Sequence, residues 1–559
     1  MGLADNPAME DCSLRYAPRA QRSWSPGMIF LSCLVGLSAM AGYALDAAFV
    51  GEYGFGNALG GFAVATLICV PLTVVIAFHI AREHIDIDLL TRGSGFGYLG
   101  STVTSLVYAS YTLIFLAYEG AIMAQAVTAL TGGALDVRLS YAVVSVAMVP
   151  LTLYGMSFST RFQAWTWPLW AALIVLAVVS AVSAPHAWHA MTALHGPATG
   201  AIGLSTVAVF AIAAAQLSTA AQIGEQGDYL RFMPDPEPTR RSRRIWRLAV
   251  VFGGPGLSLF FIVVFFASTL LVGYAQPRIG ATGAMVPVDL FTSVYQRVTG
   301  SHTLALILSG VLVLVSQIKI NIMNTYSGSL SWSNFFSRLL HRHPGRAAWV
   351  FLQVGLSLVL MESGIFAHIT TVLAWYANIG IAWIGAMTSD LVVNKRWLRL
   401  SPPGIEFKRA HLYHVNPVGF GSMVLSGSVA MAAYYGAFGH TAAALSAFVA
   451  LILALVLPPL LALATRGRWY LARTSTLPAG EAELRCAVCE ETFDVPDMAA
   501  CPVHEGAICS LCCSTDATCH DACKPSPWRP VGGGPPPTVV LPWPTARTAE
   551  RLPAEEPAG

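Results

Sequence analysis

Apolar runs of about twenty residues recur along the chain, parted by short polar connections. A run of that length crosses the hydrocarbon core of a bilayer as a helix, with every backbone polar group satisfied internally. Twelve such runs stand at about 27–49, 59–79, 100–130, 139–157, 163–183, 200–226, 247–275, 302–328, 347–361, 365–390, 418–438 and 441–465. They predict an all-α polytopic membrane protein with 12 transmembrane helices over residues 25–465. Residues 1–24 read as a polar N-terminal segment. They lack a short apolar core followed by a cleavage site, so the first run is expected to stay as a membrane helix. Beyond the helices come an expected linker (466–484), a Cys-rich module (485–524) and a Pro/Gly-rich tail expected to be disordered (525–559).

One polar interruption stands out. The apolar run Leu304 to Val315 gives way to Ser316 through Asn334, still within helical reach. At 100° per residue, Ser316, Gln317, Asn321, Asn324, Ser327, Gly328 and Ser331 share an arc of roughly 140°, with Lys319 on its flank. Polar groups inside a membrane face a cavity or a partner. Ser, Asn and Gln also serve as hydrogen-bonding glue between helices, and both readings stay open here.

Two other spans carry small residues where a regular helix is weakest. Span 1 contains Gly36-Leu37-Ser38-Ala39-Met40-Ala41-Gly42, and span 6 contains Gln216 through Glu225, including Thr219 and Gln222. These spans hold equivalent places in two five-span halves. An odd number of spans inverts the second half, so the pattern predicts a five-plus-five inverted repeat with broken helices 1 and 6 around a central site. Close packing of small residues is the alternative. Span 3 sets Tyr108, Tyr111, Thr112, Phe115 and Glu119 on one face. Glu119 is read as a substrate contact, a proton-coupling group or a structural partner of Lys319, since a buried carboxyl holds a proton unless a cation is near. Asp46 and Glu52 are read as solvated or capping, and Asp228 and Arg231 as a pair on one helical face.

Charge orients the chain. Only 11% of residues are charged against 55% hydrophobic, with mean hydropathy +0.60. Loops on the N-terminal side carry Arg82, Arg92, Arg161, the Arg240–Arg247 run, Arg338, Arg342, Arg346, Lys395 and Arg396; the opposite loops carry Arg138, Arg278 and Arg297. Positive loops stay inside, so both termini are expected in the cytoplasm of a plasma-membrane protein. The net charge of +2 gives no reason to expect nucleic acid. No nucleophile–base set appears, so an enzyme is not expected.

The sequence resembles the nucleobase–cation symporter-1 family of purine, cytosine, hydantoin and allantoin permeases over about residues 20–465. The resemblance rests on Phe96-Gly97 with Gly100-Ser101, on Asp228-Tyr229-Leu230-Arg231-Phe232, and on Asn321 through Asn334. It implies a secondary transporter working by alternating access. The family's span 3 Trp and Gln fall on Phe115 and Glu119, its span 6 Trp on Thr219, and its substrate-binding Asn on Asn321. Gln222 and Gln317 complete the expected substrate contacts. The sodium site would fall near the carbonyls of Gly36 and Ala39, with Val315 and Ser316 at its hydroxyl positions. Phe115 and Thr219 remove two indoles that would sandwich a flat ring, and Glu119 for Gln points to a cationic or differently hydrogen-bonding solute. Val315 and Lys319 point to loss of sodium coupling, leaving transport proton-coupled through Glu119 and Lys319, or uncoupled.

Eight of the eleven cysteines lie between Cys486 and Cys523; Cys12, Cys33 and Cys69 are scattered. In a reducing compartment that density predicts zinc. Two ions are expected: Cys486, Cys489, Cys509 and Cys512 on one, and Cys501, His504, Cys519 and Cys523 on the other, in an order resembling a RING or B-box cross-brace. Cys513 is spare, and it or His520 could replace a named ligand. So small a module folds around metal, and its expected work is to bind a cytoplasmic protein partner. A membrane sensor or scaffold signalling through this tail is the alternative to a permease.

Overall fold

The computed structural model describes residues 13–154, 156–197, 203–478, 480–531 and 534–541. Residues 1–12, Cys12 among them, and the tail beyond 541 lie outside them. A helix occupies each of the twelve predicted places. Among the described residues nine are long and apolar enough to cross a membrane, and ten when the bent pair Pro26–Ser38 and Met40–Tyr53 counts as one span. The helices at the fourth and ninth places, Val137–Leu153 and Arg346–Glu362, are 17 residues each and fall short of a comfortable span.

Span 1 starts at Pro26, with the Ser25 side chain accepting from the Met28 amide as an N-cap. It tightens into a 3-10 turn over Leu34–Ser38, passes through extended Ala39 (φ −61°, ψ 112°), and resumes at Met40 after a 47° bend. Gly36 belongs there because a Cβ would meet the Leu257 side chain at 2.8 Å. Span 6 departs from α geometry more gently, with a 3-10 turn at Leu217–Gln222 between Thr206–Gln216 and Ile223–Leu230.

Span 8 is longer than its apolar run. The helix continues from His302 to Leu340, 39 residues, or roughly 58 Å at 1.5 Å per residue. It lies along span 3, Gly100–Leu130. Span 7 starts later than expected: Arg240–Gly253 is a separate helix, and the span proper, Gly256–Ala284, follows the Gly254-Pro255 break. Helix Pro287–Thr299 is not among the predicted elements, since thirteen residues are too short for a span. It has Pro at its start and left-handed Gly300 at its end.

Two buried charge clusters close the end of the bundle that carries the tail. Asp88 meets Arg92 (2.6 Å) and Arg338 (2.8 Å), and Asp86 meets Arg231 (3.4 Å). All five are buried. Arg231 thus reaches a loop carboxylate rather than only Asp228 on its own helix.

The tail is a small β-rich unit seated on this end. Two hairpins, Glu483–Arg485 with Thr492–Asp494 and Met498–Cys501 with Gly506–Cys509, precede a short helix, Ser510–Thr515. Residues 13–24 run between it and the bundle. The Leu14 amide donates to Asn334 Oδ1 of span 8 (2.9 Å), while Ser510 Oγ donates to the Leu14 carbonyl (3.1 Å). The expected linker is partly packed, because Arg473 is buried and donates to the carbonyls of Ala410 and Ala500. Part of the segment expected to be disordered is also held. The Pro527 carbonyl accepts from the His414 amide (2.7 Å), and Thr538–Val539 pairs in parallel with Thr474–Ser475. Backbone groups that a proline-rich strand cannot satisfy internally find partners there. Gly532 and Gly533 lie outside the described residues.

Candidate functional site: a cavity at the break of span 1

A cavity of about 70 Å³ lies where spans 1, 3 and 6 meet. Gly36, Ala39, Phe115, Glu119, Thr219 and Gln222 line it, so six of the predicted site residues converge. Glu119 is fully buried, and its Oε2 accepts from the Ala41 amide at 3.1 Å. Gln317 Oε1 accepts from the Met40 amide at 3.3 Å, and Gln317 Nε2 donates to Glu119 Oε2 (2.5 Å) and to its carbonyl (2.9 Å). Two side chains from spans 3 and 8 therefore satisfy the first amides of the resumed helix of span 1. Such amides have no partner within their own helix. Gln317 is a positioning group and does not itself line the cavity.

The remaining predicted residues go elsewhere. Asn321 is fully buried but does not line the cavity; Asn324, one turn on, does. Ser316 Oγ accepts from Trp170 Nε1 (2.9 Å). Lys319 turns away from Glu119, and no ion pair between them stands among the described residues. Its Nζ lies 4.9 Å and 5.1 Å from the ring centroids of Trp167 and Trp170, which stack on each other in span 5. The flank position on span 8 explains this, because it faces span 5 rather than span 3.

Other lining residues stand outside the predicted set, and four of them carry polar or aromatic groups that matter here. Asp46, expected to be solvated or capping, is buried and lines the cavity, as do Phe49, Gln216 and Asn324. A signal for the first two is present in the sequence: Gly42, Leu45, Asp46 and Phe49 share one face at helical spacing.

In the tail, the thiols of Cys486, Cys489, Cys509 and Cys512 all lie within 4.8 Å of one another. That suits a tetrahedral thiolate site, in which Zn–S bonds are about 2.3 Å. The Cys509 amide points at Cys486 Sγ (3.3 Å), the Cys512 amide at Cys509 Sγ (3.4 Å), and Arg15 Nη2 at Cys509 Sγ (3.7 Å). Donors aimed at sulfur favour thiolates. The second predicted set gathers at one place without reaching ligand spacing. Cys501, His504, Cys519 and Cys523 border one small cavity with Cys513 and Asp516, but His504 Nε2 is taken by Asp516 Oδ2 at 2.6 Å. Among the described residues the four-cysteine cluster is the one group with metal-ligand spacing. Next to it, burial pushes the Asp497 carboxyl up to about 6, against the pull of its Ser510 hydrogen bond and of Arg15.

No protein-family profile matches the sequence, and no curated protein matches it. Solved structures do. The chain is similar to MHP1, a nucleobase-cation-symport-1 family transporter, in a closed conformation with bromovinylhydantoin bound: 17% identity, 83% of this chain and 99% of that one, TM-score 0.58. The inward facing conformation of Mhp1 gives 18% identity, coverage of 82% and 94%, and TM-score 0.59. A Na+-coupled sialic acid symporter in a substrate-bound outward-open state gives 16%, coverage of 79% and 91%, and TM-score 0.51. The chain is thus an all-α polytopic membrane protein that shares its fold with MHP1, a nucleobase-cation-symport-1 family transporter.

Proposed function

We propose that the protein is a secondary transporter that moves a small polar, nitrogenous solute across the cytoplasmic membrane by alternating access, with no enzymatic step. The observation that carries this is the cavity at the broken span 1, with Glu119 and Gln317 holding the resumed helix. Backbone freed from helical bonding is tolerated in a membrane where it is buried in protein or lines a cavity, and in transporters such broken helices mark the central site. Substrate contacts are assigned to Phe115, Glu119, Thr219 and Gln222, with Asn321 one turn from the lining Asn324. The reading includes twelve spans in two inverted halves and both termini in the cytoplasm, from the Arg- and Lys-rich loops on that side.

Coupling is read as proton-linked or absent. Val315 offers no side-chain oxygen, the Ser316 hydroxyl is engaged by Trp170, and Lys319 puts a fixed cation one turn away. Reconstituted vesicles separate the cases: a proton gradient or the solute gradient alone should drive uptake. Accumulation driven by a sodium gradient at constant pH would refute the assignment.

The tail is read as a zinc module with one ion on Cys486, Cys489, Cys509 and Cys512, where zinc supplies a folding cross-link. Its docking through residues 13–24 onto span 8 favours a regulatory role on the carrier, and a cytoplasmic protein partner remains the second role assigned to the tail. The full chain should take up one equivalent of Co²⁺ with a tetrathiolate absorption spectrum, and Cys486→Ser should abolish that spectrum. If chelation leaves uptake unchanged, the tail does not regulate transport.

A further inference from the structure

We infer that the solute is a compact organic cation, an ammonium or guanidinium compound; this rests on the transporter reading above and narrows its substrate class. Asp46 and Glu119 both border the cavity, and both are buried. Neither has a Lys, Arg or His within ion-pair distance among the described residues. None of the described lining residues is Lys, Arg or His. Lys319, the nearest buried cation along span 8, is held on the far side against Trp167 and Trp170.

The charge balance favours a cation. Glu119 commits Oε2 to the Ala41 amide and Gln317, while Oε1 has no hydrogen-bond partner. The helix start at Met40 offsets at most about half a unit of negative charge. Ionised together, the two carboxyls would keep about one and a half units uncompensated, so without a cation nearby they hold their protons. A bound cation lets them ionise and pairs with the carboxylates. Asn324 Nδ2 is also buried without a partner and can donate to a hydroxyl or carbonyl on the same solute. Phe49, Phe62, Phe115 and Phe261 supply ring faces, which attract organic cations. A bare divalent ion fits less well, because no third carboxylate, His or Cys joins the two acids at ligand spacing among the described residues. Size agrees: at roughly 10–15 Å³ per water-sized group, the cavity holds about five to seven such groups.

The test uses the purified full-length chain, assayed for binding by thermal shift and for uptake in vesicles. Probes are choline and its neutral isostere 3,3-dimethylbutan-1-ol, then ethanolamine, guanidine, uracil and Mn²⁺. Choline, ethanolamine or guanidine should bind and enter, and the isostere should bind at least about tenfold more weakly. Asp46→Asn and Glu119→Gln should each weaken the cation by about tenfold or more and narrow its margin over the isostere. Glutamine at 119 keeps an oxygen for the Ala41 amide, so this variant isolates charge from folding. Preference for uracil or the isostere, with uptake, would overturn the cation and leave the transporter standing. Mn²⁺ as the preferred solute would overturn the organic class. Uptake of no probe, charged or neutral, would overturn both.

Discussion

Arg338→Lys is the sharpest test of how the tail-bearing end is held shut. All the donors of Arg338 are used. Nε donates to the Asn334 carbonyl (2.7 Å), Nη1 to the Tyr98 carbonyl (3.0 Å) and Ser101 Oγ (2.6 Å), and Nη2 to Asp88 Oδ1 (2.8 Å) and Ser105 Oγ (2.5 Å). Spans 3 and 8 and the loop between spans 2 and 3 meet on this one guanidinium. Lysine keeps the charge but has three donors on one atom. At least two of the five bonds are lost, and hydrogen bonds to charged groups are worth about 1.5–3 kcal/mol each. The expected loss is therefore about 3–6 kcal/mol, partly recovered if water enters. Unfolding of the purified variant in mixed micelles would measure it. A change below about 0.5 kcal/mol, the usual size for surface substitutions, would refute the claim that this network carries the closed end. On the proposed alternating-access cycle, opening that end breaks some of these bonds, so the variant should also favour the open state, read as faster labelling of a cysteine placed beside Asp86.

Gly97 has φ +81°, and a Cβ there would meet the Tyr413 carbonyl oxygen at 2.8 Å and the Asn416 amide nitrogen at 2.9 Å. Gly97→Ala should cost roughly 1–3 kcal/mol of strain, seen as a lower melting temperature; an unchanged one would count against the tight turn before span 3. Asp521 joins the tail to the loop after span 10 through Arg409 (3.0 Å) and His414 (3.3 Å). Burial alone would raise its pKa, but the His414 hydrogen bond and the Lys524 and Arg409 charges hold it below the ordinary carboxylate range. Its folded value thus lies below its unfolded one, so its stabilisation is present above the ordinary Asp pKa and is lost as pH falls below it. Asp521→Asn should loosen the tail by about 3 kcal/mol at neutral pH and flatten that acid transition. Hydrogen exchange over residues 485–524 would report both, and equal exchange in variant and parent would refute the pairing.

The hydrophobic pattern by itself determined where helices stand, because a bilayer demands length and apolarity in one continuous segment. Small residues at 36–42 located the break in span 1, and cysteine spacing located one thiolate cluster, since both are local chemistry. What faces what was decided only in three dimensions. Periodicity put Asn321 and Asn324 on one polar arc but could not choose the turn that meets the cavity. It put Lys319 on a flank without saying that Trp167 and Trp170 wait there. Asp46 reads as peripheral in the sequence because its depth depends on the bend at Ala39. The arginine closure joins residues some 240 positions apart in sequence (Arg338 to Tyr98 and Ser101), and no local pattern encodes such a meeting. A helix's sequence specifies its faces; only packing against its neighbours gives each face a partner.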